Sequence, residues 1–114
     1  MMTRELVDSA MKDYAKGAKE VYGDKLKDII LFGSCARGDF DDESDVDVMI
    51  LLDIEREDER VEREKIHPVV FMLDEKYGYE LLFSTLVRSY KDFNYWLQAK
   101  PFYMNVRKDG ISYV

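Results

Sequence analysis

The segment Leu31–Leu52, LFGSCARGDFDDESDVDVMILL, decides how this chain folds and what chemistry it can host. A hydrophobic run ends in Gly33-Ser34, an acidic loop follows, and Asp45 and Asp47 lead into a second hydrophobic run. Read as a strand over 45–52, that second run points both aspartates to one face. Their Cα atoms then lie about 6.6 Å apart, at ~3.3 Å rise per residue. Two like charges so placed repel unless a cation sits between them. A divalent metal is the simplest such cation, and Gly33-Ser34 stands where it can hold phosphates that the metal would bridge. Val46, Val48, Ile50 and Leu52 share one face of this strand; Asp45, Asp47, Met49 and Leu51 share the other. Beyond the aspartates both faces are apolar, which predicts a central strand covered on both sides.

Working outward, Leu6, Val7, Ala10, Met11, Tyr14, Ala18, Val21 and Tyr22 recur at three- and four-residue steps. This predicts an amphipathic helix over 3–22, stopped by Gly23 in the left-handed conformation. Residues 28–32, DIILF, are too short for a helix and read as the first strand. The charged stretch 55–66, with Val61 and Ile66 as its apolar members, reads as an exposed helix. Pro68 opens a second short helix to about Lys76. Tyr77-Gly78 then breaks the chain before a third strand, Tyr79 to Ser84 or slightly beyond, on which Glu80, Leu82 and Ser84 share a face. A helix around Tyr90–Ala99, a turn or two from Pro101, and a short edge strand within Gly110–Val114 complete the order. The result is one small α/β domain over residues 1–114, a single mixed sheet flanked by helices.

Composition narrows the function classes. Lys and Arg number 17 against 24 Asp and Glu, a net charge of −7, so the chain lacks the basic stripe that a nucleic-acid backbone needs. No direct nucleic-acid partner is expected. The one cysteine, Cys35, cannot form an internal disulfide, and one histidine, His67, gives no zinc-type cluster. No apolar run approaches the ~20 residues of a membrane span, and the amino terminus lacks the apolar core of a signal peptide. The expectation is a cytoplasmic, reducing environment with no membrane contact.

Each candidate site residue has a plain reading beside the chemical one. Gly33 removes a Cβ and Ser34 adds a hydroxyl and an N–H, which suits a phosphate cradle or an ordinary turn. A short helix from Ser34 to Arg37 would add its free N–H groups at the same spot. A solvated acidic loop accounts for Asp39, Asp41, Asp42 and Glu43, but suits Asp47 poorly, because Val46 and Val48 bracket it. Glu80 enters an apolar run, ELLF, as the aspartates do; it is either a third carboxylate or an exposed strand residue. With neighbouring strands, three carboxylates would converge and hold two divalent ions. Arg37 either touches a phosphate or answers the loop acids. Arg60 and His67 have the Arg-x6-His spacing of HEPN ribonucleases, but that motif wants Tyr where Val69 stands. Tyr90, Phe93, Tyr95, Trp96, Phe102 and Tyr103 divide between core and an exposed aromatic patch.

Taken together, Gly33-Ser34, ten residues, and Asp45-x-Asp47 resemble the minimal nucleotidyltransferases of the polymerase-β-like superfamily. Ala36-Arg37-Gly38 and Ser44-Asp45 also fall where that pattern has them, and PFYMNVRKDGISYV looks like the family's carboxy-terminal end. The resemblance implies that Gly33 and Ser34 bind nucleotide phosphates, with Arg37 the further candidate for a phosphate contact. Asp45 and Asp47 would bind both Mg²⁺ ions, and Glu80 would be the third carboxylate, a metal ligand and base for the acceptor hydroxyl. The family more often has Asp at that third place. It further implies transfer of AMP from ATP to a tyrosine of a HEPN ribonuclease toxin, with this chain as antitoxin and the pair forming a hetero-oligomer. Two alternatives stand beside it: neutralisation of the toxin by direct binding, and nucleotidylation of a small molecule such as an antibiotic.

Overall fold

A computed structural model describes all residues, 1–114. Thr3 caps the first helix, α1 (Arg4–Tyr22), its hydroxyl accepting from the Leu6 amide at 3.1 Å. The predicted periodicity buries Val7, Ala10, Met11, Tyr14, Ala18 and Tyr22 along one side. Gly23 ends the helix at φ +56° and opens a short 3-10 turn, Gly23–Lys25. The chain then forms β1 (Leu26–Phe32), the single turn α2 (Ser34–Arg37) and β2 (Val46–Leu52). A 3-10 turn at Arg56–Asp58 leads into α3 (Glu59–Glu64) and α4 (His67–Lys76). The remainder is β3 (Phe83–Ser89), α5 (Tyr90–Trp96), α6 (Pro101–Asp109) and β4 (Ile111–Ser112).

The sheet order is β3-β2-β1-β4. β1 runs antiparallel to β2 and β4, and β3 runs parallel to β2, so the sheet is mixed. Alternation along β2 sorts its residues as the sequence predicts. Val46, Val48, Ile50 and Leu52 join the core built on α1 and α4, with Ile29 and Leu31 of β1. Met49 and Leu51 face the other way, onto Phe93 of α5 and Tyr103 and Val106 of α6. All six of these β2 residues are fully buried, as a central strand covered on both faces requires. The sheet is thus a small α/β layer flanked by helices on both sides.

Two expectations need correction. The third strand begins at Phe83, not Tyr79. Gly78 and Tyr79 both have positive φ, +63° and +60°, and the Tyr79 amide still donates to the Asp74 carbonyl at 2.9 Å. The chain is therefore unwinding from α4 until Glu80, whose amide donates to the Tyr77 carbonyl. Pairing starts only when the Leu82 carbonyl accepts from the Val46 amide at 2.8 Å. The second correction concerns residues 55–66. Val61, one of its two apolar members, is 63% exposed, as an exposed helix allows, but Glu62 is buried. Ion pairs to Lys25 and Lys65 at 2.9 and 3.0 Å let a carboxylate occupy the inner side of α3.

Candidate active site

The end of β1 and the start of β2 lie side by side, with Phe32 opposite Asp47. On its other side Asp47 is level with Ser84 of β3. Between the strands the chain turns at Gly33, which has φ +73° and stands at the amino end of α2. A side chain there is strained by the backbone angle, and a Cβ would also force the Asp47 carboxylate to shift. The loop backbone therefore rests directly on that carboxylate. The Gly33 carbonyl accepts from the Ala36 and Arg37 amides, both at 3.1 Å. The first amides of such a turn, those of Ser34 and Cys35, have no intrahelical acceptor. Gly38, at φ +89°, closes α2 by donating to the Ser34 carbonyl at 2.9 Å.

Asp47 is half-buried and Asp45 exposed. Neither carboxylate takes part in a hydrogen bond or ion pair of the structure. Burial pushes the Asp47 carboxyl above the ordinary aspartate range and the Asp45 charge pushes it further, with partial relief from Arg37. Arg37 itself is exposed and pairs loosely with Asp39, 3.4 Å from Nε to Oδ2. An uncompensated pair of this kind suits a hard cation. Mg²⁺ is held by one or two carboxylates, with water and substrate phosphates completing its shell, and Asp45 and Asp47 fit that requirement.

Glu80 is not gathered to this pair. It lies in the turn after α4, its side chain half exposed, with Oε1 3.6 Å from the Met1 ammonium. No group of three or more His, Cys, Asp or Glu side chains is assembled at metal-binding spacing. The reason is the late start of β3, which puts Ser84 rather than a carboxylate level with Asp47. The loop acids are also less idle than a solvated loop implies. Asp41 Oδ1 accepts from the Glu43 amide at 2.9 Å, and the Ser44 hydroxyl accepts from the Asp41 amide at 3.0 Å. Asp42 accepts from the Met2 amide at 2.9 Å, tying the loop to the start of α1. Cys35 is buried, its Sγ 3.4 Å from the Asp45 carbonyl. Burial and the two aspartates raise its pKa, so it stays a thiol and braces the loop.

Sequence reading missed the far wall of the site. A hollow of about 190 Å³ opens beside Gly33 and Arg37 and is lined across from them by Phe102, Asn105 and Val106 of α6. A larger hollow, about 420 Å³, lies by α1 and is lined by Leu31 and Cys35. Leu31 belongs to the opposite face from Phe32 and Asp47, so that hollow does not adjoin the carboxylate. Only the proline at 101 and the aromatic at 102 hinted that α6 exists, and nothing local said which strand it would cover.

A family described as "Nucleotidyltransferase domain" matches residues 11–109. Among curated relatives, "Putative protein adenylyltransferase MJ0141" of Methanocaldococcus jannaschii is 55% identical over 42 residues, 37% of this chain and 42% of the relative. "Putative protein adenylyltransferase MJ0604" of the same organism is 44% identical over 48 residues, 42% of this chain and 48% of the relative. The chain thus spans under half the length of these relatives. No solved structure matches. The family match covers the loop, both aspartates and α6, and the chain belongs to the nucleotidyltransferase domain family.

Proposed function

We propose that this chain is a Mg²⁺-dependent nucleotidyltransferase that moves AMP from ATP to a hydroxyl on a protein. The carrying observation is the unpartnered Asp47 carboxylate, raised in pKa beside Asp45 and pressed against the Gly33 backbone. The Gly33 turn and the Ser34 amide and hydroxyl hold the triphosphate, and Arg37 balances its charge. Asp45 and Asp47 hold the metal, which when bound supplies charge neutralisation on the phosphates and orients the reacting oxygens. The acceptor oxygen attacks the α-phosphorus in line, the bond to the bridging oxygen breaks and pyrophosphate departs, while the hydroxyl's proton passes to solvent water. Catalysis by this chain then rests on positioning and electrostatics. Glu80 has no part in this scheme.

A protein acceptor is supported by the names of the two archaeal relatives. The sequence resemblance narrows it to a tyrosine of a HEPN ribonuclease toxin, with this chain as the antitoxin. A net charge of −7 favours association with a basic, RNA-cleaving partner. The test incubates the chain with Mg²⁺, α-labelled ATP and the product of the neighbouring gene. Label is expected on the partner; its absence, or equal labelling by Asp47→Asn, defeats the proposal.

A second reading, neutralisation by direct contact, is favoured by one observation. Tyr95, Trp96, Phe102 and Met104 of α5 and α6 stay 77, 38, 45 and 44% exposed. A chain carrying both Asp45→Asn and Asp47→Asn separates the two: full protection from the toxin favours binding, and lost protection by a folded chain favours chemistry.

A further inference from the structure

We infer that the hollow between the Gly33 loop and α6 is a nucleobase site, in which Phe102 stacks on an adenine ring and Asn105 reads its edge. This rests on the nucleotide reading of the same site and extends it to the base.

Position comes first. Phe32 and Asp47 are register partners, so they share the sheet face that α6 covers. The hollow is lined both by Gly33 and Arg37, where phosphates would lie, and by Phe102 and Asn105 of α6. A triphosphate on the Gly33 loop therefore has a hollow on the Asp47 face into which its base can reach. At about 190 Å³ this hollow is below the ~300 Å³ at which pockets for whole drug-sized ligands begin, so it takes one ring system and leaves the rest outside.

The lining is suited to a base. Phe102 is held edge-on by Phe32, with ring centroids 5.6 Å apart and planes at 76°. Braced in this way, and with Tyr103 tilted beside it at 5.9 Å, it remains 45% exposed and offers aromatic surface to a ligand. Val106 is buried and gives the hollow an apolar floor. Asn105, one turn along α6 from Phe102, brings the only neutral amide in the lining. An amide offers a donor and an acceptor together, the complement of the adenine N6 amino group and N7. Asp109 follows one turn later, also in the lining. Its carboxylate only accepts, so it can take a hydrogen bond from the adenine amino group, while the choice against guanine rests on Asn105.

The experiment is calorimetric titration of the whole chain, in Mg²⁺ and without any acceptor protein, with ATP, GTP and inorganic tripolyphosphate. ATP is expected to bind about tenfold more tightly than tripolyphosphate or GTP. Phe102→Ala and Asn105→Ala, both at exposed positions, should each weaken ATP about five- to tenfold and leave tripolyphosphate unchanged. Tripolyphosphate matching ATP, or both variants holding ATP as the parent does, overturns the base site and leaves the nucleotide reading standing. GTP matching ATP overturns the edge reading by Asn105. If neither ATP nor tripolyphosphate binds, the nucleotide reading fails first and takes this inference with it.

Discussion

Glu62 and Asp47 are two carboxylates drawn out of water by the same small fold, and they are treated in opposite ways. Glu62 sits on the inner side of α3 with Lys25 Nζ at 2.9 Å from Oε1 and Lys65 Nζ at 3.0 Å from Oε2. Burial pushes its carboxyl up, but the bonds from the two lysines outweigh this and hold it below the ordinary glutamate range. Asp47 meets burial with a second negative charge instead, and only the exposed Arg37 pulls the other way. One carboxylate is compensated within the chain. The other is compensated only when something cationic arrives. On the proposed reading, the acid neutralised by two lysines is structural and the unpaired one at the other end of the sheet is the working group.

The largest effect should follow from removing that group. Asp47→Asn keeps the shape and deletes the charge, so AMP transfer should fall by at least ~10²-fold. Its thermal midpoint should be no lower than the parent's, because an unfavourable charge has gone. A clear drop in midpoint would mean that Asp47 is structural like Glu62, and the contrast would collapse. Next in size is Gly33→Ala. A methyl there meets both a left-handed backbone and the Asp47 carboxylate, so about 1–3 kcal/mol of stability should be lost in urea unfolding. Transfer should fall with it, since the carboxylate must move. Retained activity would show that the close approach of loop and carboxylate is incidental.

The same pair explains what could be read from the sequence. Asp47 was legible because β2 alternates without interruption: Val46 and Val48 bracket it, and a strand with two apolar faces leaves no bland place for a charge. Gly33 was legible from its place at the end of DIILF. Glu62 was not, because ERVERE shows Val61 as its apolar member, and the compensating Lys25 lies 37 residues upstream. Glu80 stands apart from the aspartates for a related reason. YGYELLF has strand-like composition, but Gly78 and Tyr79 spend it in a left-handed turn whose bonds reach back into α4. Phe102 and Asn105 line the hollow beside Gly33 only through the packing of α6 on the sheet, a tertiary fact with no local signal.

Glu62→Ala probes the compensated side. It strands two lysines whose side chains are half exposed and can turn to water, so the cost falls below that of a fully buried pair, about 2 kcal/mol. Transfer per folded molecule should be unchanged. Lost transfer at full folding would place Glu62 in the working machinery and blur the distinction.

The smallest effect is the pH dependence of that same carboxylate, and its sign is fixed by the direction of the shift. Glu62 titrates lower in the folded chain than its ordinary 4.5. Below 4.5 the unfolded chain therefore binds more protons than the folded one, and stability falls as pH falls. The stabilisation is complete above the ordinary value and disappears as pH drops through the lowered one. Asp8 and Asp13 are held low by hydrogen bonds as well, so acid weakens the parent through three carboxylates. The difference between parent and Glu62→Gln isolates one of them. Urea midpoints between pH 6 and pH 3 should converge for the two chains as acidity rises, the parent losing its lead. A constant gap across that range would mean the lysines do not depress Glu62, and the chain would then hold two uncompensated acids rather than one.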